Sequence, residues 1–173
     1  MSLPTDRHHP AAWPADRLAA ECDVRRTRRS GPGGQNRNKV ETAVVLLHRP
    51  SGIDAEANER RSQAENLRVA LFRLRLKLAL AVRRPVAIDA GPSTLWQSRC
   101  RGGRIVVSPE HEDFPAIIAE ALDVLEACAM DTGAAAACLG CTSSQLTKLL
   151  KDEPRALRLV NEHRRERGQH PLR

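Results

Sequence analysis

Residues Ser30 to Asn38 read S-G-P-G-G-Q-N-R-N, and packing alone gives no reason for such a run. Gly31, Pro32, Gly33 and Gly34 make a segment that can enter positive φ and bring its main chain against a partner, because no Cβ stands in the way. Gln35 follows with no bulky neighbour to cover it, so a backbone N–H and a carboxamide are the groups such a loop would present. A tight turn between two elements is the competing reading, and one or two glycines would suffice for it. A conventional hydrolase would need a nucleophile, a base and an orienting group. His8, His9 and His48 are the histidines near the loop, and no spacing ties them to Ser30 or to an aspartate, so they read as surface or strand residues.

The flanking residues extend the pattern. Arg28-Arg29-Ser30-Gly31-Pro32-Gly33-Gly34-Gln35, then Asn38-Lys39, Pro50-Ser-Gly-Ile53, and Arg61-Ser62-Gln63 with Asn66, occur in one order and spacing. In these residues the chain resembles the catalytic domain of class I peptide chain release factors, over roughly residues 18 to 80. Arg37 stands where that family usually has an apolar side chain, and Val40 and Glu41 precede Thr42 where it usually has Ser or Thr.

The resemblance implies a fold and a chemistry. The fold is α+β: a small mixed or antiparallel sheet covered by a long helix, with a protruding Gly-Gly-Gln loop. The chemistry is hydrolysis of the ester joining a nascent peptide to tRNA, in the peptidyl transferase centre of the large ribosomal subunit. Gly33, Gly34 and Gln35 are the implied catalytic residues, with the Gln35 N–H facing the developing oxyanion and its side chain admitting water. Arg28, Arg29, Ser30, Gly31, Arg37, Asn38, Lys39, Arg61, Ser62, Gln63 and Asn66 are the implied RNA contacts or loop supports. Ser62 equally suits a helix N-cap, with Gln63 and Glu65 in the first turn. Gln35 is also the implied target of a glutamine methyltransferase. Ribosomal RNA and peptidyl-tRNA are the implied partners, without a cofactor or metal.

The elements that must position these residues follow from periodicity. Leu18 to Arg29 ends in a strand-like alternation, and Ala43 to Arg49, Pro50-Ser-Gly52 and Ile53 to Ala57 read as a hairpin. Gln35 to Thr42 could form a short helix. From Arg61 to about Val82 the period becomes helical, with Leu67, Leu71, Leu74 and Leu78 on one stripe able to cover a sheet. Arg68, Arg73, Arg75 and Lys77 share the remaining surface, as a solvated face or an RNA contact.

Beyond this, Phe114 to Leu125 is helical, and Ala135 to Leu149 has the spacing of a helix-turn-helix capped by Thr142 or Ser143. The expected division is a flexible leader at 1–14, the catalytic domain at 15–84, a connector at 85–113, a helical module at 114–153 and a basic tail at 154–173. Arg164, Arg165 and Arg167 are the tail's candidate substrate contacts.

Composition narrows the classes. The chain has 173 residues, 41% of them hydrophobic, and residues 1–84 hold 17 Lys and Arg against 9 Asp and Glu, whereas 85–173 hold 11 against 12. The positive field therefore travels with the glycine loop and suits a polyanionic partner. Two Trp, two Phe and no Tyr leave no row of rings for stacking single-stranded bases, so backbone and shape contacts to structured RNA are expected.

No stretch approaches the ~18 apolar residues of a membrane span, and Met1 to Pro14 lacks an apolar signal core. Five irregularly placed cysteines suit reduced thiols, and a cytoplasmic monomer is expected. Cys138-x-x-Cys141 has ligand-like spacing but no nearby histidine to complete a zinc site.

Nothing in the sequence offers a counterpart to a stop-codon-reading domain. The expectation is codon-independent release on stalled ribosomes, closest to the short rescue hydrolases of that superfamily. Two alternatives stay open: a helix-turn-helix regulator presenting Ser143, Ser144, Gln145 and Lys148, and a non-catalytic ribosome-binding relative.

Overall fold

The computed structural model describes residues 9–27 and 42–173. The chain divides into two compact units, one of Trp13–Leu78 and one of residues 9–12 with Ala79–Arg173.

The first unit contains a three-stranded antiparallel sheet, β1 (Cys22–Thr27), β2 (Ala43–His48) and β3 (Ile53–Ala57), in the order β1-β2-β3. A six-residue helix, α1 (Ala15–Ala20), precedes β1. Val44, Leu46 and His48 alternate into the interior and oppose Ala57, Ala55 and Ile53 across the pair, so the period of two fixes which face is covered. Gly52 turns the β2–β3 hairpin at φ 70°, its N–H returning to the His48 carbonyl at 2.8 Å.

The 19-residue helix α2 (Gln63–Ala81) follows. Ala70, Leu71, Leu74 and Leu78 are buried along it, and Leu67 is half-buried, which matches the leucine stripe. Polar side chains of α2 also bind the sheet. Arg73 donates to the Glu56 carbonyl at 2.7 Å and Lys77 to the Asp54 carbonyl at 2.6 Å, satisfying two acceptors of the edge strand β3. Arg75 donates to the Trp13 carbonyl at 2.6 Å. Trp13 is itself buried, meets His48 edge-on with ring centroids 6.4 Å apart, and carries the Arg17 guanidinium 4.3 Å from its ring centroid. Residues 9–14, read from the sequence as leader, therefore contribute core: His9, Pro10, Ala11 and Trp13 are all buried.

The second unit is built around α4 (Phe114–Ala127), whose residues 114–119 and 121–125 are buried. A helix apolar all round needs neighbours on every side. They come from α5 (Thr132–Cys138), α6 (Ser143–Asp152), α7 (Pro154–Glu166) and the short turn Pro10–Ala12. Each helix start is capped: Asp131 accepts from the Gly133 and Ala134 amides, Thr142 from that of Gln145, and Glu153 from that of Arg155. Residues 85–113, read as a connector, include α3 (Thr94–Arg99) and the hairpin β4 (Cys100–Arg101)–β5 (Arg104–Ile105). Trp96 of α3 is buried and donates through Nε1 to the Leu139 carbonyl at 2.7 Å, at the turn between α5 and α6. Among the described residues no helix is long and apolar enough to cross a membrane.

Two buried ionisable groups give this unit opposing responses to pH. His9 Nδ1 accepts from the Ala11 amide at 3.0 Å, so the proton of the neutral ring sits on Nε2 and is donated to the Val82 carbonyl at 3.1 Å. Burial, aided by Arg83 and Arg84 against the Val82 bond, lowers its pKa to about 4. Its stabilising contribution is full above the ordinary value of about 6.5 and is lost as pH falls through the folded value. Asp123 accepts from Arg83 at 3.2 Å and from the Arg84 amide at 3.0 Å, yet burial raises its pKa to about 6, so its contribution is greatest in acid and declines as pH rises through 6. In urea unfolding followed by Trp96 fluorescence on a Trp13→Phe background, the wild-type midpoint should carry both trends. His9→Gln should lower the midpoint at pH 7 and remove the acid-side loss between pH 6.5 and 4, so its curve converges on wild type in acid. Curves that stay parallel would contradict this role for His9.

Candidate functional site

The β1–β2 ladder brings Thr27 and Ala43 opposite one another, with Arg26 facing Val44 and Arg25 facing Val45. The chain thus leaves the sheet at Thr27 and rejoins it at a cross-strand neighbour, about 5 Å away. Arg28, Arg29, Ser30, Gly31, Gly33, Gly34, Gln35, Arg37, Asn38 and Lys39, with the short helix expected over Gln35 to Thr42, lie wholly or mainly outside the described residues. The described residues on either side form the frame to which this segment is joined.

Asn66 is the centre of that frame. It is fully buried, and its carboxamide makes three hydrogen bonds: Nδ2 to the Thr42 carbonyl at 2.7 Å, Nδ2 to the Arg60 carbonyl at 2.9 Å, and Oδ1 from the Arg60 amide at 2.9 Å. One side chain therefore joins the residue just before β2, the loop after β3 and the first turn of α2. A serine or alanine cannot span these partners, and a carboxylate could not donate to the two carbonyls. Among the sequence candidates Asn66 is fully buried, with no exposed surface to offer RNA, and its side-chain bonds are all to backbone groups of Thr42 and Arg60.

Its neighbours in the Arg61-Ser62-Gln63 run behave differently from one another. Ser62 occupies the N-cap position of α2: its carbonyl accepts from the Asn66 amide at 3.0 Å and its Oγ lies 3.5 Å from the Glu65 amide. Gln63 begins the helix and is half-buried, and Arg61 is exposed. Glu59 fastens the same loop, accepting from Arg73 at 2.6 Å and 3.3 Å and from the Asn58 amide at 2.9 Å; these donors hold its pKa below the usual carboxylate range against the opposing effect of burial.

Charge is sorted across this unit. Asp23 pairs with Arg49 at 3.1 Å and Asp54 with Lys77 at 3.9 Å, toward the Cys22–His48–Ile53 end of the sheet. Toward the Thr27–Ala43 end, Arg25, Arg26, Arg60, Arg61 and Arg68 are exposed, and among the described residues their side chains have no hydrogen-bond or ion-pair partner. Glu65, at the first turn of α2 where a carboxylate favours the helix dipole, is the exposed acid in their midst. The frame thus presents unneutralised guanidinium groups where the glycine segment is mounted, a surface suited to phosphates.

The sequence of this part of the chain is similar to that of known proteins. The RF-1 domain family matches residues 18–89. Over 58 residues the chain is 50% identical to "Peptide chain release factor PrfB1, chloroplastic" of Arabidopsis thaliana, covering 34% of this chain and 13% of that protein. Over 51 residues it is 55% identical to "Peptide chain release factor 1" of Chlorobaculum tepidum, and over 50 residues 50% identical to that of Streptococcus thermophilus, each match covering 14% of the relative.

Over residues 18–89 the chain is similar to the RF-1 domain of peptide chain release factors. The chain spans about one-seventh of the length of the release factors it matches.

Relative to the sequence reading, the release-factor domain gains Thr42, Glu59, Arg73, Arg75 and Lys77 as parts of the frame. Arg73 and Lys77 could have been anticipated only in part: their spacing put them together on α2, but which β3 carbonyls lacked partners is a property of the folded sheet edge. In the second unit, Arg164 donates to the His170 carbonyl at 2.7 Å and to the Met130 carbonyl, and Arg167 pairs with Glu126 at 3.0 Å. Arg165 is exposed. Residues 154–166 form α7, with Ala156 and Val160 buried, and Asn161 holds Leu172 by two reciprocal bonds of 3.1 and 2.6 Å. The segment expected to be a basic tail is thus folded onto its own unit.

Removing the Asn66 carboxamide leaves two carbonyls and an amide without their partner. Asn66→Ala should destabilise the first unit by about 2–4 kcal/mol, the scale of several lost buried hydrogen bonds with desolvated groups left unpaired. Urea denaturation measures it, and a loss below about 0.5 kcal/mol would show that the clamp carries no stability.

Proposed function

We propose that the release-factor domain hydrolyses the peptidyl-tRNA ester in the ribosomal peptidyl transferase centre without reading a stop codon, and so frees peptides from stalled ribosomes. The observation that carries this reading is the coincidence of the family match with the glycine segment, mounted on a frame that keeps its unpaired arginines beside it. In the proposed chemistry water attacks the ester carbonyl carbon, negative charge develops on the carbonyl oxygen, and the bond to the ribose oxygen of the terminal tRNA nucleotide breaks. Gly33 and Gly34 let the backbone aim the Gln35 N–H at that oxygen. The Gln35 carboxamide admits water and excludes larger nucleophiles. Proton transfer is left to ribosomal RNA and the tRNA ribose, so no protein base is required.

Arg25, Arg26, Arg61 and Arg68, with Arg28, Arg29, Arg37 and Lys39 of the segment, would neutralise ribosomal phosphates during docking. Asn66, Ser62 and Glu59 serve by holding the frame. Within the second unit, Arg165 remains available for substrate contact, while Arg164 and Arg167 are engaged internally. A cytoplasmic setting and methylation of Gln35 belong to the same proposal.

Purified protein should release peptide from ribosomes stalled on a truncated mRNA, with no added advantage from a stop codon in the decoding site. Gly34→Ala, which displaces the following amide, should slow release by about 10² or more, the scale of a lost oxyanion donor. Gln35→Ala should reduce it strongly. Equal release by wild type and both variants would overturn the assignment.

A further inference from the structure

The helix-turn-helix of the second unit lies outside the residues proposed for ester hydrolysis, and its exposed face is organised. α5, a turn with Gly140 at φ 63° and the Thr142 cap lead into α6, which buries Leu146, Leu149 and Leu150. Ser144, Lys148 and Lys151 fall at i, i+4 and i+7 on the opposite side, forming a polar stripe about 10 Å long. An open concavity of about 420 Å³ runs along it, lined by Ser143, Ser144, Thr147, Lys148, Lys151 and Arg173. Three cations and three hydroxyls face this space, and no carboxylate lines it. Asp152, exposed at the end of α6, lines a smaller recess beside it with Lys148.

The β4–β5 hairpin is fixed to the first turn of the same helix. The Thr142 amide donates to the Gly103 carbonyl at 3.3 Å, and the Ile105 amide donates to Gln145 Oε1 at 3.2 Å. Gly102 and Gly103, at φ 56° and 77°, make the tight turn, which leaves Arg101 and Arg104 exposed on either side of it. Among the described residues, Arg101, Arg104, Lys148, Lys151 and Arg173 have no ion-pair or hydrogen-bond partner for their side chains. Five uncompensated cations thus flank one helix in a unit whose net charge is close to neutral.

We infer that this face docks on the sugar-phosphate backbone of double-helical RNA. Lysine and serine side chains are phosphate readers, and the one carboxamide on α6 suited to a base edge, Gln145, is already committed to the hairpin. Trp96 and Phe114 are buried, so the face offers no ring on which an unpaired base could stack. The hairpin and α6 form two rigidly joined basic arms, which favours a surface of regularly spaced phosphates over a flexible strand. The choice of RNA over DNA rests on the proposed ribosomal function.

The test uses the full chain and fluorescence anisotropy with a 20-base-pair RNA duplex, a DNA duplex of the same sequence and the single RNA strand, between 50 and 200 mM salt. Lys148→Ala/Lys151→Ala/Arg173→Ala should weaken RNA-duplex binding at least tenfold and flatten the plot of log affinity against log salt by up to about 2.7, since each lost phosphate contact removes about 0.9 from the slope. Arg101→Ala/Arg104→Ala should act in the same direction. Arg158→Ala, an exposed arginine on α7 away from the concavity, should change neither quantity. Circular dichroism should be unaltered in all three. Unchanged affinity and slope in both multiple variants would overturn the inference, and equal or tighter binding of the DNA duplex or the single strand would overturn the choice of partner. Because peptide release is not the readout, either failure leaves the ester-hydrolysis proposal standing.

Discussion

A single buried carboxamide sets the geometry of the release-factor domain. Asn66 holds the carbonyl of Thr42, one residue before β2, and both backbone groups of Arg60, while its own amide is held by Ser62 at the start of α2. The residue before β2, the loop after β3 and the start of α2 meet at one side chain. In the proposed chemistry the glycine segment carries a backbone N–H to a reacting bond and needs a rigid base, because an error of about 1 Å at the reacting atoms can cost ~10² in rate. The ladder that pairs Thr27 with Ala43 closes that base from one side, and Asn66 closes it from the other.

Around this clamp the basic residues divide by role. Arg73, Arg75, Lys77 and Arg49 satisfy backbone carbonyls or carboxylates within the unit, so their charge is spent on the fold. Arg25, Arg26, Arg61 and Arg68 stay exposed near the mounted segment. The same division recurs in the second unit, where Arg83, Arg99, Arg155, Arg164 and Arg167 have partners and the cations around α6 have none among the described residues. Net charge by halves conceals this, since it counts a cation buried in an ion pair and one facing solvent alike. Residues 85–173 are nearly neutral in sum yet carry a concentrated basic face.

The strands and the long helix were legible because period-two and period-3.6 patterns report directly on which faces are covered: the β2–β3 hairpin, the leucine stripe of α2 and the apolar course of α4 all stand where the residues place them. The helix-turn-helix was legible from its small residues and Gly140. What escaped reading were features decided by long-range partners. Trp13 looks like part of a proline-rich leader until the Arg75 and Arg17 side chains and the His48 ring are assembled around it. Residues 104–108 read as a candidate strand, and β5 begins there, but β4 and its pairing with β5 involve only two residues a side, too short for any periodicity, and the hairpin is held by its bonds to α6. The terminal arginines resemble a polybasic tail, but the Met130 carbonyl, at a left-handed turn with Ala129, holds Arg164 and the Glu126 carboxylate holds Arg167, so both are drawn back onto the unit. The motif residues themselves could be named but not sorted: order and spacing marked Ser62 and Asn66 alike, and only burial and hydrogen bonding separated a helix cap and a clamp from a surface that could meet RNA.

The most direct measurement is the single-turnover rate of peptide release at saturating protein for Asn66→Ala, taken at a temperature where circular dichroism shows the variant folded, with ribosome binding determined in parallel. If the clamp sets the base of the loop, the maximal rate falls at least tenfold while ribosome affinity stays within a few-fold of wild type, because the exposed arginines are untouched. A maximal rate equal to wild type in the folded variant would contradict it, and the geometry of the frame would have no bearing on the chemistry.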